Sequence, residues 1–325
     1  YYTYQVKAFH PQAKGVVSME TPDPYSRACS ADSARTLACH LPVCVEAVPG
    51  GNVLEWQGTK RPEFSDRGRA VVYELHIRDF SAMDESVPAD RRGKYLAFEE
   101  EGTCGDLHLR KLAAAGLTHV QLLPNYDFGS VPERQENQRQ PVIPDGLAPD
   151  SEAQQAAAVE AADTDAFNWG YDPVLYDVPE GSYASDPDGL VRVLEHRRMV
   201  AALHKKGLRV VVDVVYNHTL ASGPDGALSV LDKCAPGYYY RRSESGEYEN
   251  STCMNNTAGE RAMMGRLVVD SVVHWAKMYR VDGFRFDLMG HLPLSVVEEC
   301  RRSLDALTVE KDGVDGPRVL MYGEG

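Results

Sequence analysis

The residues of this sequence best able to do chemistry fall in three short stretches. They are Asp213, Asn217 and His218 in DVVYNH, then Arg285, Asp287 and His291 in GFRFDLMGH, and Glu324 in YGEG. In each, an apolar run ends in a carboxylate, an imidazole or a guanidinium. Two carboxylates on one rim can cleave a glycosidic bond: one attacks the anomeric carbon or activates water, and the other protonates the leaving oxygen. A neighbouring arginine holds the attacking group ionised and oriented. Such a site also needs aromatic faces for sugar rings, and FNWGYDP (167–173) offers Phe167, Trp169 and Tyr171 on a loop bounded by Gly and Pro.

Each of these residues has a plainer structural role open to it. Asp213 alone could be a satisfied buried carboxylate, His218 and His291 ordinary loop histidines, and Glu324 an exposed acid. The aromatic loop could simply pack on the body of the fold. Arg285 and Asp287 could form a structural ion pair, although a buried pair kept for structure alone is often no better than apolar residues of similar volume. The coincidence favours chemistry. Three strands end in polar groups, at the end where parallel α/β folds bind their ligands.

These groups need strands to carry them. Successive side chains of a strand point to opposite faces, so Phe284, Phe286 and Leu288 would share one face, with Arg285 and Asp287 on the other. Five strands are expected, in AVVYELHIRDF, THVQLLP, LRVVVDVVYNH, VDGFRFD and RVLMYGEG. Amphipathic helices lie between them, in LHLRKLAAAG, LVRVLEHRRMVAALHKKG, GERAMMGRLVVDSVVHWAKMYR and PLSVVEECRRSLDAL. Gly116 and Gly207 are placed as left-handed helix stops. Strands alternating with helices imply a parallel sheet covered by helices, either an open doubly wound sheet or a β/α barrel. Residues 1–66 read instead as short β segments (YYTYQVKAFH, GVVSME and TLACHLPV), the end of a small β-sandwich, with 59–70 as a linker. Two long connections, 128–166 and 219–258, interrupt the later pattern, and DSEAQQAAAVEAAD suits a solvated helix inside the first.

Bulk properties exclude several classes. At 325 residues the chain can bury a large core. A formal net charge of -14 argues against nucleic acid as a partner. With no run of eighteen apolar residues, no membrane span is expected. Seven cysteines, odd in number and never in CxxC spacing, read as reduced thiols and not as a zinc site. The N-x-S/T matches at Asn217, Asn250 and Asn255 read as chance. The sequence starts at Tyr1, so any targeting peptide would lie upstream.

At these motifs the sequence closely resembles the α-amylase superfamily of glycoside hydrolases, in particular the pullulanase/limit-dextrinase type of starch debranching enzyme. The matching segments are YELHIRDFS (73–81), NWGYDP (168–173), DVVYNH (213–218), GFRFDLMGH (283–291) and YGEG (322–325). ENSTCMNNTAGE (249–260) resembles the plant and algal members, and DPYSRACSAD (23–32) resembles the end of the β-sandwich that precedes their barrel. The resemblance implies that residues 67–325 are the first part, about five β/α units, of a TIM-type (β/α)8 barrel. It implies Asp287 as nucleophile and Glu324 as general acid/base in a retaining hydrolysis of α-1,6 branches. It further implies Arg285 as the group orienting the nucleophile, Tyr171, Trp169, His218 and His291 as substrate-binding groups, and Asp213 and Asn217 as supporting ones. No metal ligand or cofactor is implied, with calcium left open. The implied partner is an α-glucan, the implied location a plastid. A third family carboxylate would come from a strand beyond this sequence, so the isolated piece is expected to be inactive and poorly stable. A branching or transglycosylating relative and a non-catalytic α-glucan-binding protein are the alternatives.

Overall fold

Five apolar runs become parallel strands because each is flanked by an amphipathic helix that covers one of its faces. The computed structural model describes residues 1–41, 58–251 and 254–324. The strands are β3 (Val72–Leu75), β4 (His119–Leu122), β7 (Arg209–Val214), β8 (Gly283–Phe286) and β9 (Leu320–Gly323), hydrogen-bonded in that order without a reversal. The main helices are α1 (Cys104–Ala114), α2 (Ala153–Ala161), α3 (Val191–Lys205), α4 (Ala262–Met278) and α5 (Leu294–Asp305). Thr103 caps α1 by accepting from Asp106 N. After α1 and α3 the chain turns at Gly116 and Gly207 with φ of +106° and +83°, as the sequence predicts. Helix α2 lies in the first insertion and is mostly exposed.

Strand register sorts the side chains into two faces. Glu74, Gln121, Val211, Asp213, Gly283, Arg285, Leu320 and Tyr322 share one face through the pairings Glu74–Gln121, Gln121–Val211, Val211–Gly283, Asp213–Arg285, Gly283–Leu320 and Arg285–Tyr322. The other face carries Leu75, Val120, Leu122, Val210, Val212, Val214, Phe284 and Phe286, all buried in the main core with Leu267, Val268, Val272 and Trp275 of α4. The first face is concave. Tyr322 OH donates to Gln121 Oε1 at 2.6 Å although β7 and β8 separate their strands. On a flat sheet those strands would lie roughly 14 Å apart, so the sheet must coil strongly for the two side chains to meet. A β-carbon on Gly283 would sit 2.9 Å from Leu320 Cβ and 3.0 Å from Val211 Cγ2, so this level of the concave face has room only for glycine.

Two smaller pairings flank the main sheet. β1 (Tyr4–His10) and β2 (Gly15–Thr21) form an antiparallel hairpin. β5 (Tyr126–Phe128) and β6 (Pro173–Pro179) form an antiparallel ribbon at the base of the 128–166 insertion. Prolines at both ends of β6 hide it from pattern reading, since proline ordinarily marks a turn or a sheet edge. The segment TLACHLPV is not a strand over residues 36–41; Thr36 alone makes isolated bridges, to Tyr2 and Cys29. Its remaining residues, 42 and 43, lie outside the described residues. Strand β8 ends at Phe286, and Leu288 takes a left-handed conformation (φ 42°, ψ 52°) instead of continuing the alternation. That conformation breaks the pleat, so the expected phenylalanine–leucine face stops at Phe286.

The segment after the hairpin, the ribbon and α3 meet around Arg192, which is fully buried. Its Nη1 contacts Asp127 Oδ1 at 2.8 Å, its Nη2 contacts Glu133 Oε2 at 2.7 Å, and its Nε donates to Pro187 O. Glu180 completes a group of three buried carboxylates and accepts from Phe128 N and Ser182 N. From the N-terminal segment, Ser33 Oγ donates to Asp127 Oδ2 and Asp32 N donates to Glu133 Oε2. One guanidinium cannot balance three buried charges. Burial therefore pushes the Glu133 carboxyl well up, and burial together with Asp127 pushes Glu180 up to about 7. Arg192→Met, which strands these carboxylates, should cost about 3–5 kcal/mol. In thermal unfolding of the complete protein this should appear as a clear drop in Tm. Arg266→Ala, which removes an ion pair with Asp270 whose arginine is 72% exposed, should leave Tm nearly unchanged. Equal shifts in the two variants would refute the account of Arg192.

Candidate active site

The concave face ends, at the carboxyl ends of β7, β8 and β9, in a network centred on Arg285. Its Nη1 lies 3.0 Å from both oxygens of Asp213 and 3.1 Å from Asp287 Oδ1, and its Nη2 lies 3.1 Å from Glu324 Oε2. One guanidinium thus ties together carboxylates from three adjacent strands. The remaining oxygen of Asp287 accepts from Asn217 Nδ2 at 2.8 Å. Asp213 also accepts from Tyr171 OH at 2.7 Å. The turn at Leu288 aims its backbone N–H at Glu324 Oε2, 3.2 Å away. A left-handed leucine stores strain, and its place between two carboxylates of the network is where such strain is usually found.

Exposure divides the three acids by what they can reach. The Asp213 side chain is wholly buried, that of Asp287 is 11% exposed and that of Glu324 42% exposed. Asp213 can therefore act only through its protein partners, while Asp287 and Glu324 open toward solvent. Burial raises the Asp213 carboxyl to about 7, although the Tyr171 hydroxyl and Arg285 pull the other way.

His218 joins the network to the aromatic loop. Its Nε2 lies 2.7 Å from Tyr171 O, and its Nδ1 faces Asn217 Oδ1. Both neighbours are acceptors, whereas a neutral imidazole has a single N–H, so this geometry suits the protonated ring. Burial pushes the ring the opposite way, toward neutrality. Both nitrogens are therefore engaged by the protein itself. Trp169 is 63% exposed and Phe167 43% exposed, so the aromatic loop stands out from the surface beside Tyr171. His291 lies on the short turn Met289–His291, where its carbonyl accepts from Arg241 Nη2 at 2.7 Å. The second long connection also packs here: Thr257 N donates to Asn217 O, and His218 bridges Asn256.

Tyr171, Asp213, Asn217, His218, Arg285, Asp287 and Glu324 thus form one hydrogen-bonded system, with Trp169 and His291 at its margins. His76 and Tyr126 were not among the residues singled out from the sequence, yet both hold the aromatic loop. His76 directly follows β3, on the same rim, and that position was the available signal. Among the described residues, Asp127, Glu133 and Glu180 are the one group spaced as metal ligands, and Arg192 already supplies a positive charge inside it.

No protein-family model matches the chain. Over its whole length it is 47% identical to chloroplastic pullulanase 1 of Arabidopsis thaliana, across 329 residues that make up 34% of that protein. Its fold matches apo pullulanase from Klebsiella pneumoniae with a TM-score of 0.91 at 35% identity, covering all of this chain and 38% of the other. A maltotriose complex of a Klebsiella pneumoniae pullulanase matches with a TM-score of 0.90 at 35% identity, covering all of this chain and 33% of the other. The chain spans about a third of the length of the curated relatives it matches.

The state of Asp213 gives a pH-dependent expectation. Its folded value of about 7 exceeds the ordinary 3.8, so its proton stabilises the fold below about pH 4. That contribution is lost as the pH rises toward 7. Asparagine cannot lose a proton, so Asp213→Asn should gain on the native protein as pH rises. The Tm difference between the two, measured on the complete protein, should shift in favour of the variant from pH 5 to pH 8. An unchanged difference from pH 5 to pH 8 would mean that Arg285 keeps Asp213 ionised throughout.

Proposed function

We propose that this chain, which belongs by sequence and fold to the pullulanase type of debranching glycoside hydrolase, carries the nucleophile and the general acid/base of an enzyme that hydrolyses α-1,6-glucosidic branches. The observation that carries the proposal is the Arg285 guanidinium in contact with Asp213, Asp287 and Glu324 at once. The substrate class is an α-glucan such as pullulan, amylopectin or a limit dextrin. Support comes from a Klebsiella pneumoniae relative that binds maltotriose. The chloroplastic relative supports a plastid location.

In the proposed mechanism Asp287 is the nucleophile. Its two oxygens are fixed separately, one by Arg285 and the other by Asn217, so it meets the anomeric carbon without first reorganising. A bond forms between Asp287 and C1 while the bond from C1 to the leaving oxygen breaks. Glu324, the more exposed acid, delivers its proton to that oxygen. Glu324 then takes a proton from water, which attacks C1, releases Asp287 and gives retained configuration. Retaining enzymes hold the two carboxyl groups about 5–5.5 Å apart, and an arginine shared between them suits that scale. Trp169 and Tyr171 would offer aromatic faces to the sugar, and His218 and His291 would border the same pocket.

The proposed architecture is the first five β/α units of a (β/α)8 barrel over residues 67–325, preceded by the end of a β-sandwich within residues 1–66. The consecutive strand order supports a barrel, because a doubly wound sheet reverses order at a switch point. So does the coiling that brings Tyr322 to Gln121. A barrel requires the strands of further units, so catalysis is assigned to the complete protein.

Asp287→Asn in the complete protein should abolish the covalent glycosyl-enzyme and lower pullulan turnover by several orders of magnitude while sparing maltotriose binding. Turnover within about tenfold of the native value would remove Asp287 from the nucleophile role. Glu324→Gln should slow natural glucans on the order of 10²–10⁴-fold, with a much smaller loss on substrates whose leaving group needs no protonation. Equal losses on both kinds of substrate would refute the acid role.

A further inference from the structure

We propose that His76, at the end of β3, is a positioning residue that fixes the aromatic loop and so sets how tightly the site holds glucan; this rests on the function proposed above. His76 is buried, 8% exposed, and makes no contact with the three carboxylates of the Arg285 network. Its Nδ1 accepts the backbone N–H of Asp79 at 3.1 Å. The ring proton must therefore sit on Nε2, where it points at Asn168 O, 2.7 Å away. Tyr183 OH lies 3.2 Å from the same nitrogen, and the Phe167 ring packs against the imidazole at 5.8 Å.

This contact is the first of three that pin consecutive parts of the loop. Gly170 O accepts from Tyr126 OH at 3.1 Å, and Tyr171 O lies 2.7 Å from His218 Nε2. His76 directly follows β3, Tyr126 opens β5 a short turn after β4, and His218 follows β7. Gly170 has a φ of +88°, and a β-carbon there would lie 2.8 Å from Pro124 O, so the loop is pressed against the rim. Trp169 is thus flanked on both sides by fixed carbonyls while its own ring stays 63% exposed. An exposed indole on a fixed backbone loses little entropy when a sugar ring stacks on it. Releasing Asn168 frees one flank and should weaken binding without touching the reacting carboxylates.

Two variants of the complete protein separate the roles of the two ring nitrogens. Asparagine at position 76 keeps an acceptor for Asp79 N–H but stops short of Asn168. Glutamine can extend an N–H to Asn168 O. His76→Asn should raise KM for pullulan on the order of tenfold, the effect of losing one hydrogen bond, and leave kcat within about twofold. His76→Gln should recover most of the native KM. The emission of Trp169, isolated by difference against Trp169→Phe, should be quenched by maltotriose less strongly in His76→Asn than in the native protein or His76→Gln. Tyr126→Phe, which keeps the ring but removes the pin on Gly170 O, should move KM and quenching the same way. Native KM and native quenching in both His76→Asn and Tyr126→Phe would overturn the proposal, as would a glutamine variant no better than the asparagine one. Should the native protein fail to hydrolyse pullulan, the functional proposal falls, while maltotriose quenching of Trp169 still decides the role of His76.

Discussion

One guanidinium organises the upper rim of this molecule. Arg285 lies within 3.1 Å of carboxylates on β7, after β8 and after β9. Without it, three acids brought together at adjacent strand ends would repel one another, and Asp213 would be a wholly buried acid with only the Tyr171 hydroxyl beside it. Arginine suits this place better than lysine because its planar fork presents several fixed donors at once. The strands, the turn at Leu288 and the aromatic loop can be understood as what is required to bring those partners within reach.

The sheet meets that requirement through parity and curvature. Paired residues of parallel strands point to the same side, so Asp213, Arg285 and Tyr322 line up across β7, β8 and β9. Coiling turns that line inward, and the contact between Tyr322 and Gln121 closes it across two intervening strands. The opposite parity carries valine and phenylalanine into the helix layer. A slip of one residue in β8 would bury Arg285 among apolar side chains and turn Phe284 and Phe286 inward.

A second buried arginine plays the corresponding part at the margin of the sheet. Arg192 gathers Asp127 and Glu133, and the N-terminal segment contributes Ser33 and Asp32 to the same carboxylates. The N-terminal residues are thereby bonded to the base of the insertion whose return strand leads out of the aromatic loop. Asp232 makes a similar tie, accepting from Gly223 N and Gly237 N of the second long connection while His10 of the hairpin lies 3.2 Å away. Both connections are held by buried polar contacts as well as by apolar packing.

Much of this was legible in the sequence because period and chain order are local properties. Alternation in GFRFD placed Arg285 and the phenylalanines on opposite faces, and the polar endings of DVVYNH and YGEG marked the same rim. Glycines after helical stretches marked where α1 and α3 end. The strand β6 was hidden by its prolines, the left-handed Leu288 by an alternation that seemed to continue, and His76 by the 92 positions that separate it from Asn168. By itself the sequence determined the two faces of β8, with Phe284 and Phe286 on one and Arg285 on the other, since alternation is read at a fixed period. Only the tertiary structure decided that Arg285 serves three acids, that His218 spends both nitrogens on the protein, and that His76 holds the aromatic loop. Those contacts join residues between one and ninety-two positions apart, and their geometry depends on how strongly the sheet coils, which no local pattern encodes.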